Sequence, residues 1–541
     1  MEVPDSFDLP HALSDLVITL FGIWVLIEAC HWLFKLFKCW RIGRKLRHLP
    51  GLPPSLLGPL DVLRDRTDRH RLYVEWAKKY GPVMTYRVLT THVVMVTDPT
   101  IVAEALRHKS LDKDLPAQFG SQALDEFSGP NKHQTILTLP TDERWKAVRK
   151  AVATAFSTTN MRANFPGIRK ACNQLIEVLA EVGPNQAVDM DRATCRESLD
   201  VIGQVGFGRD MGATRSLLDD DEPGQAITAT QAAQAECEAG LNDPLRNYKL
   251  WRPDVWAGKA ATKRFHKVIA RLLADIRRER PAEATFAAHL LDIVDPRTGQ
   301  GITDEFLQPE IALLFLAGFE TTGHTASWTL YAISQDADVE AKITEELASL
   351  GLLATPERPK PRPLEWEDLS KLVYLNAVIK ESMRKYPAGG VASFRTPVKG
   401  AGDVVLGGGK VVIPEGAIFH APIAAIQMSP AIWEDPERFD PGRWLQGDAE
   451  YSPGAKLDGK GVKRFIPFGE GARNCVGQTL ARINLTTALA QLYGSFTFRL
   501  ASEMGSAEDV RAAEQVNITL SCAKGMMMHV LPRVAPLKAG S

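Results

Sequence analysis

The chain has little of what a disulfide scaffold or a zinc module needs. Its seven cysteines (Cys30, Cys39, Cys172, Cys195, Cys237, Cys475 and Cys522) are scattered through 541 residues, and no two form a CxxC pair. That excludes a disulfide framework, argues against structural zinc and fits a reducing compartment. Charge of one sign is not in excess either. Lys+Arg 64 against Asp+Glu 65 leaves a net charge of -1, without the basic surplus that nucleic-acid binding requires. There is no internal repeat and no strand, glycine-rich loop and helix in succession. Gly400-x-Gly402 leads into a hairpin, so no dinucleotide site is expected. Hydrophobic residues at 45% and charged residues at 24% are ordinary for a globular chain and exclude a polytopic transporter.

Long apolar runs are absent with one exception, residues 16–34, LVITLFGIWVLIEACHWLF. As a helix this run would span about 28 Å, close to the hydrocarbon thickness of a bilayer. Glu28 is its blemish, costing roughly 2–3 kcal/mol in mid-membrane. Acidic residues (Glu2, Asp5, Asp8, Asp15) precede the run, and Lys35, Lys38, Arg41, Arg44, Lys45 and Arg47 follow it. The asymmetry predicts a single-pass anchor with the carboxy-terminal bulk in the cytosol. A cleaved signal peptide would carry its positive charge before the run. Residues 49–60, LPGLPPSLLGPL, hold four prolines and two glycines and read as a stiff hinge. The expected organisation is therefore an anchor with basic flank over 1–48, a hinge over 49–60 and one catalytic body over 61–541.

The body reads as mainly α with small β-sheets. Helical spacing covers 69–79, 99–109, 141–156, 166–182, 189–205, much of 226–295, 303–334, 366–386 and 476–494. Strands are expected at 83–88 and 92–98, in a hairpin over 400–413, and in a second hairpin over 517–532. Residues 110–140 lack periodicity and read as a long loop, the kind that carries function.

Chemistry concentrates around Cys475, in Phe468-Gly469-Glu470-Gly471-Ala472-Arg473-Asn474-Cys475-Val476-Gly477. The glycines allow sharp turns and close approach to something large and flat. Cys475 is placed just before a helical run, where free amides favour a thiolate, and Arg473 can neutralise an anion nearby. A thiolate in that setting suits an axial ligand to haem iron.

The spacing F-x-x-G-x-R-x-C-x-G resembles the cysteine signature of the cytochrome P450 family, the haem-thiolate monooxygenases, at every fixed position. Three further motifs of that family occur in its order, so the resemblance covers about residues 50–535. The first is Ala317-Gly318-Phe319-Glu320-Thr321-Thr322 on the longest apolar helix. An alcohol and a carboxylate in mid-helix are costly if idle, and the resemblance implies that Thr321 and Glu320 relay protons for oxygen activation. Ala317 and Gly318 would lie against the cofactor. The second is Glu381-x-x-Arg384, one of four Glu-x-x-Arg sequences in the chain. In the family this pair joins an arginine from a downstream coil in a buried triad. The coil reads Phe439-Asp440-Pro441-Gly442-Arg443-Trp444, and the family frame selects Arg443, not Arg438 of the literal PERF at 436–439. The third is Trp145-x-x-x-Arg149, one helical turn apart. The resemblance places Trp145, Arg149, Arg395 and Arg473 around the propionates of haem b, with Phe468 and Gly477 in the cysteine loop.

What the resemblance implies beyond the site is a membrane-bound monooxygenase of the endoplasmic reticulum. The chain has no flavin, nicotinamide or iron–sulfur motif, so electrons would come from an NADPH-dependent diflavin reductase, with cytochrome b5 a further candidate donor. Phe315, Phe319, Val391, Phe394 and Ile518 are expected to wall an apolar substrate pocket, open to a fatty acid, sterol, terpenoid, carotenoid or foreign lipophile. Two other classes stay open. A haem-thiolate isomerase or dehydratase would need no reductase, and such relatives commonly lack an alcohol at the position of Thr321. A non-enzymatic haem protein of the membrane would not need the Glu320–Thr321 pair.

Overall fold

The computed structural model describes residues 9–53, 66–113, 121–130, 134–218, 222–243, 246–445 and 464–534. Helix α1 (Leu9–Leu46) is one continuous element, and its apolar side chains from Ile18 to Phe37 face outward. It is the one described helix long and apolar enough to cross a membrane. It does not stop at the basic flank. Its last turns bury Ile42 and Leu46 in an apolar cluster with strand residues and Cys39 beside His92, and Lys45 pairs with Asp403 at 2.5 Å.

After α2 (Arg69–Tyr80) come β1 (Val83–Val88) and β2 (Thr91–Val96), antiparallel with Val83 opposite Val96. The beginning of the expected hinge is tied to this sheet. Thr85 donates to the Pro50 carbonyl at 2.9 Å, and Leu52 donates to the Thr85 carbonyl at 3.2 Å. Residues 50–52 thus belong to the body, because a strand edge offers their backbone groups partners. Residues 54–60 of that stretch lie outside the described residues.

Helix α3 (Pro99–Arg107) starts where Asp98 accepts from the amides of Thr100 and Ile101 and Pro99 fills the first helical turn. Strand β3 (Leu111–Asp112) and helix α4 (Ser121–Ser128) occupy part of the stretch expected to be loop. Helix α5 (Glu143–Ala155) is capped by Asp142. Helix α6 (Thr158–Val182) begins eight residues before the expected 166 and runs through Pro166. A Ser157 cap and the buried face Met161, Phe165, Ile168, Cys172, Leu175 and Leu179 outweigh one missing amide near the helix start.

Strand β4 (Ala187–Asp189) leads into α7 (Met190–Ile202). Then come α8 (Glu222–Asn242), α9 (Pro253–Glu279) and α10 (Phe286–Leu291). The longest buried helix, α11 (Asp304–Ser334), packs closely on α7, followed by α12 (Ala337–Ser349) and α13 (Val373–Lys385). Strands β5 (Phe394–Pro397) and β8 (Ile418–His420) complete a five-stranded sheet of order β1-β2-β8-β5-β3. Between them, β6 (Val404–Leu406) and β7 (Val411–Ile413) form the expected glycine-rich hairpin.

The short α14 (Ile423–Gln427) precedes the coil, and α15 (Gln478–Ser495) follows the cysteine loop into β9 (Phe496–Leu500). After α16 (Ala507–Ala512), the terminal hairpin is β10 (Glu514–Val516) with β11 (Leu520–Cys522). The last strand, β12 (Met527–Pro532), leaves it to lie between β4 and β9. The expected pairing of 517–532 with itself therefore gives way to longer-range partners. The result is mainly α with small sheets.

Candidate active site

The cysteine loop is built by two tight turns. Gly469 (φ 67°) and Gly471 (φ 76°) take the left-handed conformation that favours glycine. A Cβ on Gly471 would stand 2.3 Å from the Leu106 carbonyl oxygen, so this glycine permits contact with α3, not with a cofactor. A Cβ on Gly477 would meet nothing within 4 Å, so its face is open. The Cys475 amide donates to the Phe468 carbonyl at 2.8 Å, closing the loop. Phe468 is half-buried, with the Arg482 guanidinium 5.2 Å over its ring.

Cys475 is accessible at its surface, yet its sulfur is crowded enough that burial pushes its thiol upward. The Gly477 amide and the positive Arg149 oppose that push and favour the thiolate. The helix begins at Gln478, not directly after Cys475. The donor that favours the sulfur anion is thus a loop amide, not a set of helix-end amides. Arg149, on α5, clamps the loop by donating to the Asn474 carbonyl at 2.8 Å and to its side-chain oxygen.

Beside the loop lies a cluster of cations with, among the described residues, fewer anions than cations. Arg473 donates to Asp112 at 2.9 Å, to the Leu139 carbonyl at 2.6 Å and to the Thr141 hydroxyl at 3.0 Å. Its guanidinium stacks 4.1 Å over the Trp145 ring. The Trp145 indole donates to the Ile136 carbonyl at 3.0 Å, so within the protein it supports Arg473. Arg395, buried on β5, is lowered to about 10 by desolvation and then by Arg473. Lys113, which the sequence reading passed over, is lowered to about 7 by desolvation and by Arg395 and Arg473. Asp112 is the carboxylate that opposes these charges. A site that holds buried cations near neutrality suits a dianionic carboxylate ligand, and the two propionates of haem have that charge.

We expect Lys113→Ala to weaken haem retention about tenfold, the scale of one charge-assisted hydrogen bond, measured by haem transfer to an apo-acceptor. The linkage sign follows from the depressed value. Without haem, the folded chain binds fewer protons at Lys113 than the unfolded chain between about pH 7 and the ordinary lysine range. Stability of the haem-free wild type should therefore rise with pH across that window, and this slope should vanish in Lys113→Ala.

On α11 the open and closed faces separate cleanly. Ala317 is exposed and Thr321 half-exposed in the middle of a helix whose other residues from Ile311 to Phe319 are mostly buried. The Thr321 hydroxyl donates to the Ala317 carbonyl at 2.9 Å. Glu320 is buried, accepting from the Gln234 amide of α8 on Oε1. Gly318 faces Ile202 of α7, where a Cβ would sit 2.6 Å from a side-chain carbon, so this glycine serves helix packing.

Phe315 and Phe319 do not share the open face. At 100° per residue both point away from Ala317. They pack edge to face at 6.2 Å, and Phe315 contacts Phe207 and Phe265 within the core. An all-apolar helix gives no sequence signal of which side is open, which is why they were expected in the pocket wall. Val391, Phe394 and Ile518 are half-exposed, with Phe394 stacked 4.2 Å from His420.

Glu381 is wholly buried and held by four groups. Arg384 grips both its oxygens at 2.8 and 2.9 Å. The Asp440 amide donates at 2.9 Å and the Trp444 indole at 3.1 Å. Arg443 Nε lies 3.4 Å away, an ion pair without hydrogen-bond geometry, while its Nη2 donates to the Asp435 carbonyl. Arg438 contributes its carbonyl oxygen, which accepts from Arg384. Trp444 and the Asp440 amide were not anticipated from the sequence.

Comparison with known proteins agrees with this geometry. The cytochrome P450 family profile matches residues 49–512. Cytochrome P450 76C2 of Arabidopsis thaliana is 28% identical over 91% of this chain and 93% of its own length. Geranylhydroquinone 3''-hydroxylase of Arnebia euchroma is 26% identical over 92% and 97%. Flavonoid 3'-monooxygenase of Arabidopsis thaliana is 24% identical over 93% and 96%. With a family match across most of its length and an accessible cysteine in that family's loop, the chain belongs to the cytochrome P450 family of monooxygenases.

Proposed function

We propose that this protein inserts one atom of dioxygen into a lipophilic small molecule, using electrons from an NADPH-dependent diflavin reductase on the same membrane. The observation that carries the reading is the accessible Cys475 thiol beside the under-compensated cations Lys113, Arg395 and Arg473. Cys475 would hold the iron of haem b, and Lys113, Arg149, Arg395 and Arg473 would hold its propionates. Haem held by these residues would supply oxygen activation.

The chain's own residues do the rest. Thr321, beside the open Ala317, can turn its hydroxyl from its own helix toward the open face. Glu320 stores the proton behind it. Val391, Phe394 and Ile518 present apolar surface to the substrate and exclude water. The relatives named for geranylhydroquinone and for a flavonoid put both compounds in a test panel with fatty acids, sterols and carotenoids. Binding-difference spectra of the haem against that panel, followed by NADPH consumption with reductase present, test the proposal. A narrow set of binders turned over with NADPH supports it. Turnover of a hydroperoxide without NADPH would refute it.

Helix α1 would anchor the protein in the endoplasmic reticulum membrane. Deleting residues 1–34 should abolish membrane sedimentation, preserve the haem spectrum and slow electron transfer in vesicles. Deleting 1–48 should also lower Tm, because Ile42 and Leu46 are buried on the body and each contributes about 1.5–3 kcal/mol. Equal Tm for both truncations would contradict the docked flank.

A further inference from the structure

His324 follows Glu320 by one helical turn and is buried between two carboxylates. Its Nδ1 lies 2.9 Å from Asp191 Oδ1 of α7, and its Nε2 lies 3.4 Å from Glu320 Oε1. A neutral imidazole has one N–H and one lone pair. Only the doubly protonated ring satisfies both acceptors. Cys195, 3.7 Å from Nδ1, is raised by burial to about 11 against the opposing pull of His324. Burial opposes charge on the ring, but Asp191 and, after it, Cys195 outweigh burial and raise His324 well above the ordinary histidine range.

Glu320 is thus fixed from two sides on one oxygen. Gln234 and His324 both hold Oε1, while Oε2 is buried with no hydrogen-bond partner among the described residues. An unpartnered carboxylate oxygen inside a protein is costly and is the atom left free to carry a proton. We propose that His324, paired with Asp191, is the positioning residue of Glu320: it holds Oε1 so that Oε2 alone is presented for proton exchange beside Thr321. No proton passes through the ring. The inference rests on the monooxygenase reading and deepens it.

The other ionisable groups facing this site are Glu238 and Cys237 of α8, across Glu320, and Asp189, Cys522 and Lys524 around Asp191. Burial holds Glu238 at about 7 and Cys237 as a thiol, so neither adds a full charge at neutral pH.

The test uses the full chain with haem in lipid nanodiscs. The first readout needs no turnover. Nitrogen NMR of labelled histidine, with His324 assigned by its loss in His324→Gln, should show both ring nitrogens protonated at about pH 8, well past the ordinary midpoint. Asp191→Asn should lower that midpoint by about one to three pH units. The second readout is product and peroxide formed per NADPH. His324→Gln keeps a donor and removes the charge, so product per NADPH should fall about tenfold with substrate binding unchanged. In the wild type, coupling should fall only at alkaline pH, and Asp191→Asn should move that fall to lower pH by the same one to three units.

A neutral His324 ring at about pH 8 would overturn the proposal even if every variant failed to fold. So would an unmoved coupling profile in Asp191→Asn. Retention of one zinc per chain, lost in His324→Gln and Cys195→Ser, would also overturn it, since a metal would then bridge Asp191 and the ring. Glu320→Gln and Thr321→Ala separate the two levels. If neither raises peroxide, the role given to Glu320 and Thr321 fails; if both do and the His324 and Asp191 variants do not, this inference alone fails.

Discussion

Cys475→Ser is expected to remove the red-shifted reduced carbon-monoxide band that thiolate ligation gives, and to reduce product formation to background. The loop that carries Cys475 does not depend on the sulfur. Its turns are set by Gly469 and Gly471, its closure by the Cys475 amide on the Phe468 carbonyl, and its attachment by Arg149 on Asn474. A serine hydroxyl fits the same space but lacks the polarisable, readily ionised sulfur that binds iron strongly. The fold should therefore survive, seen as unchanged far-ultraviolet circular dichroism, while the band disappears. The six other cysteines serve as controls. Cys172, Cys195, Cys237 and Cys522 are buried away from the loop, and Cys30 and Cys39 lie on α1. A variant that keeps the band at Cys475→Ser and loses it at one of these would reassign the ligand.

The second large effect is structural. Glu381→Ala should cost about 3–5 kcal/mol, because it leaves Arg384 charged and unpaired inside the core. Arg384 is fully buried, with Trp433 5.5 Å from its guanidinium. Glu381 also gathers the Asp440 amide and the Trp444 indole. Its loss frees the coil that leads toward the cysteine loop, so haem content and thermal stability should fall together. Arg443→Ala should act in the same direction and less strongly, since Arg443 pairs at 3.4 Å without a hydrogen bond to Glu381. Arg438→Ala should be mild, because Arg438 gives the network its backbone carbonyl, which alanine keeps. A larger loss at Arg438 than at Arg443 would contradict this arrangement.

These two predictions rest on residues that local spacing made legible. The cysteine loop has glycines at turns that need positive φ, and the Glu381–Arg384 pair has helical spacing, which occurs four times in the chain and is singled out here by its place among the family's motifs. Both reasons act within a few residues, so they survive without a fold. The mainly α class was legible for the same reason, from helical periodicity and caps such as Asp98 with Pro99.

What stayed hidden depends on neighbours distant in sequence. Nothing near Lys113 marks it, because its low value comes from burial and then from Arg395 and Arg473, far along the chain. The wall assignment of Phe315 and Phe319 could not be made from sequence because α11 is apolar on every side from Ile311 to Phe319. The role of Gly318 was misread because the partner that needs the space is Ile202 of α7. The basic flank 35–47 reads as lipid-facing charge, yet its alternate residues Cys39, Ile42 and Leu46 pack on the sheet. One further signal was available. His324 is four residues after Glu320, a spacing that puts both on one helical face.

The most direct test of the central claim is isotopic. The purified full chain, with NADPH reductase and a compound that gives a binding spectrum, is supplied with doubly labelled dioxygen. The account predicts one labelled oxygen atom in each product molecule, the other in water, and NADPH consumed in proportion. Product formed without label from dioxygen, or formed equally in the absence of NADPH, would contradict it.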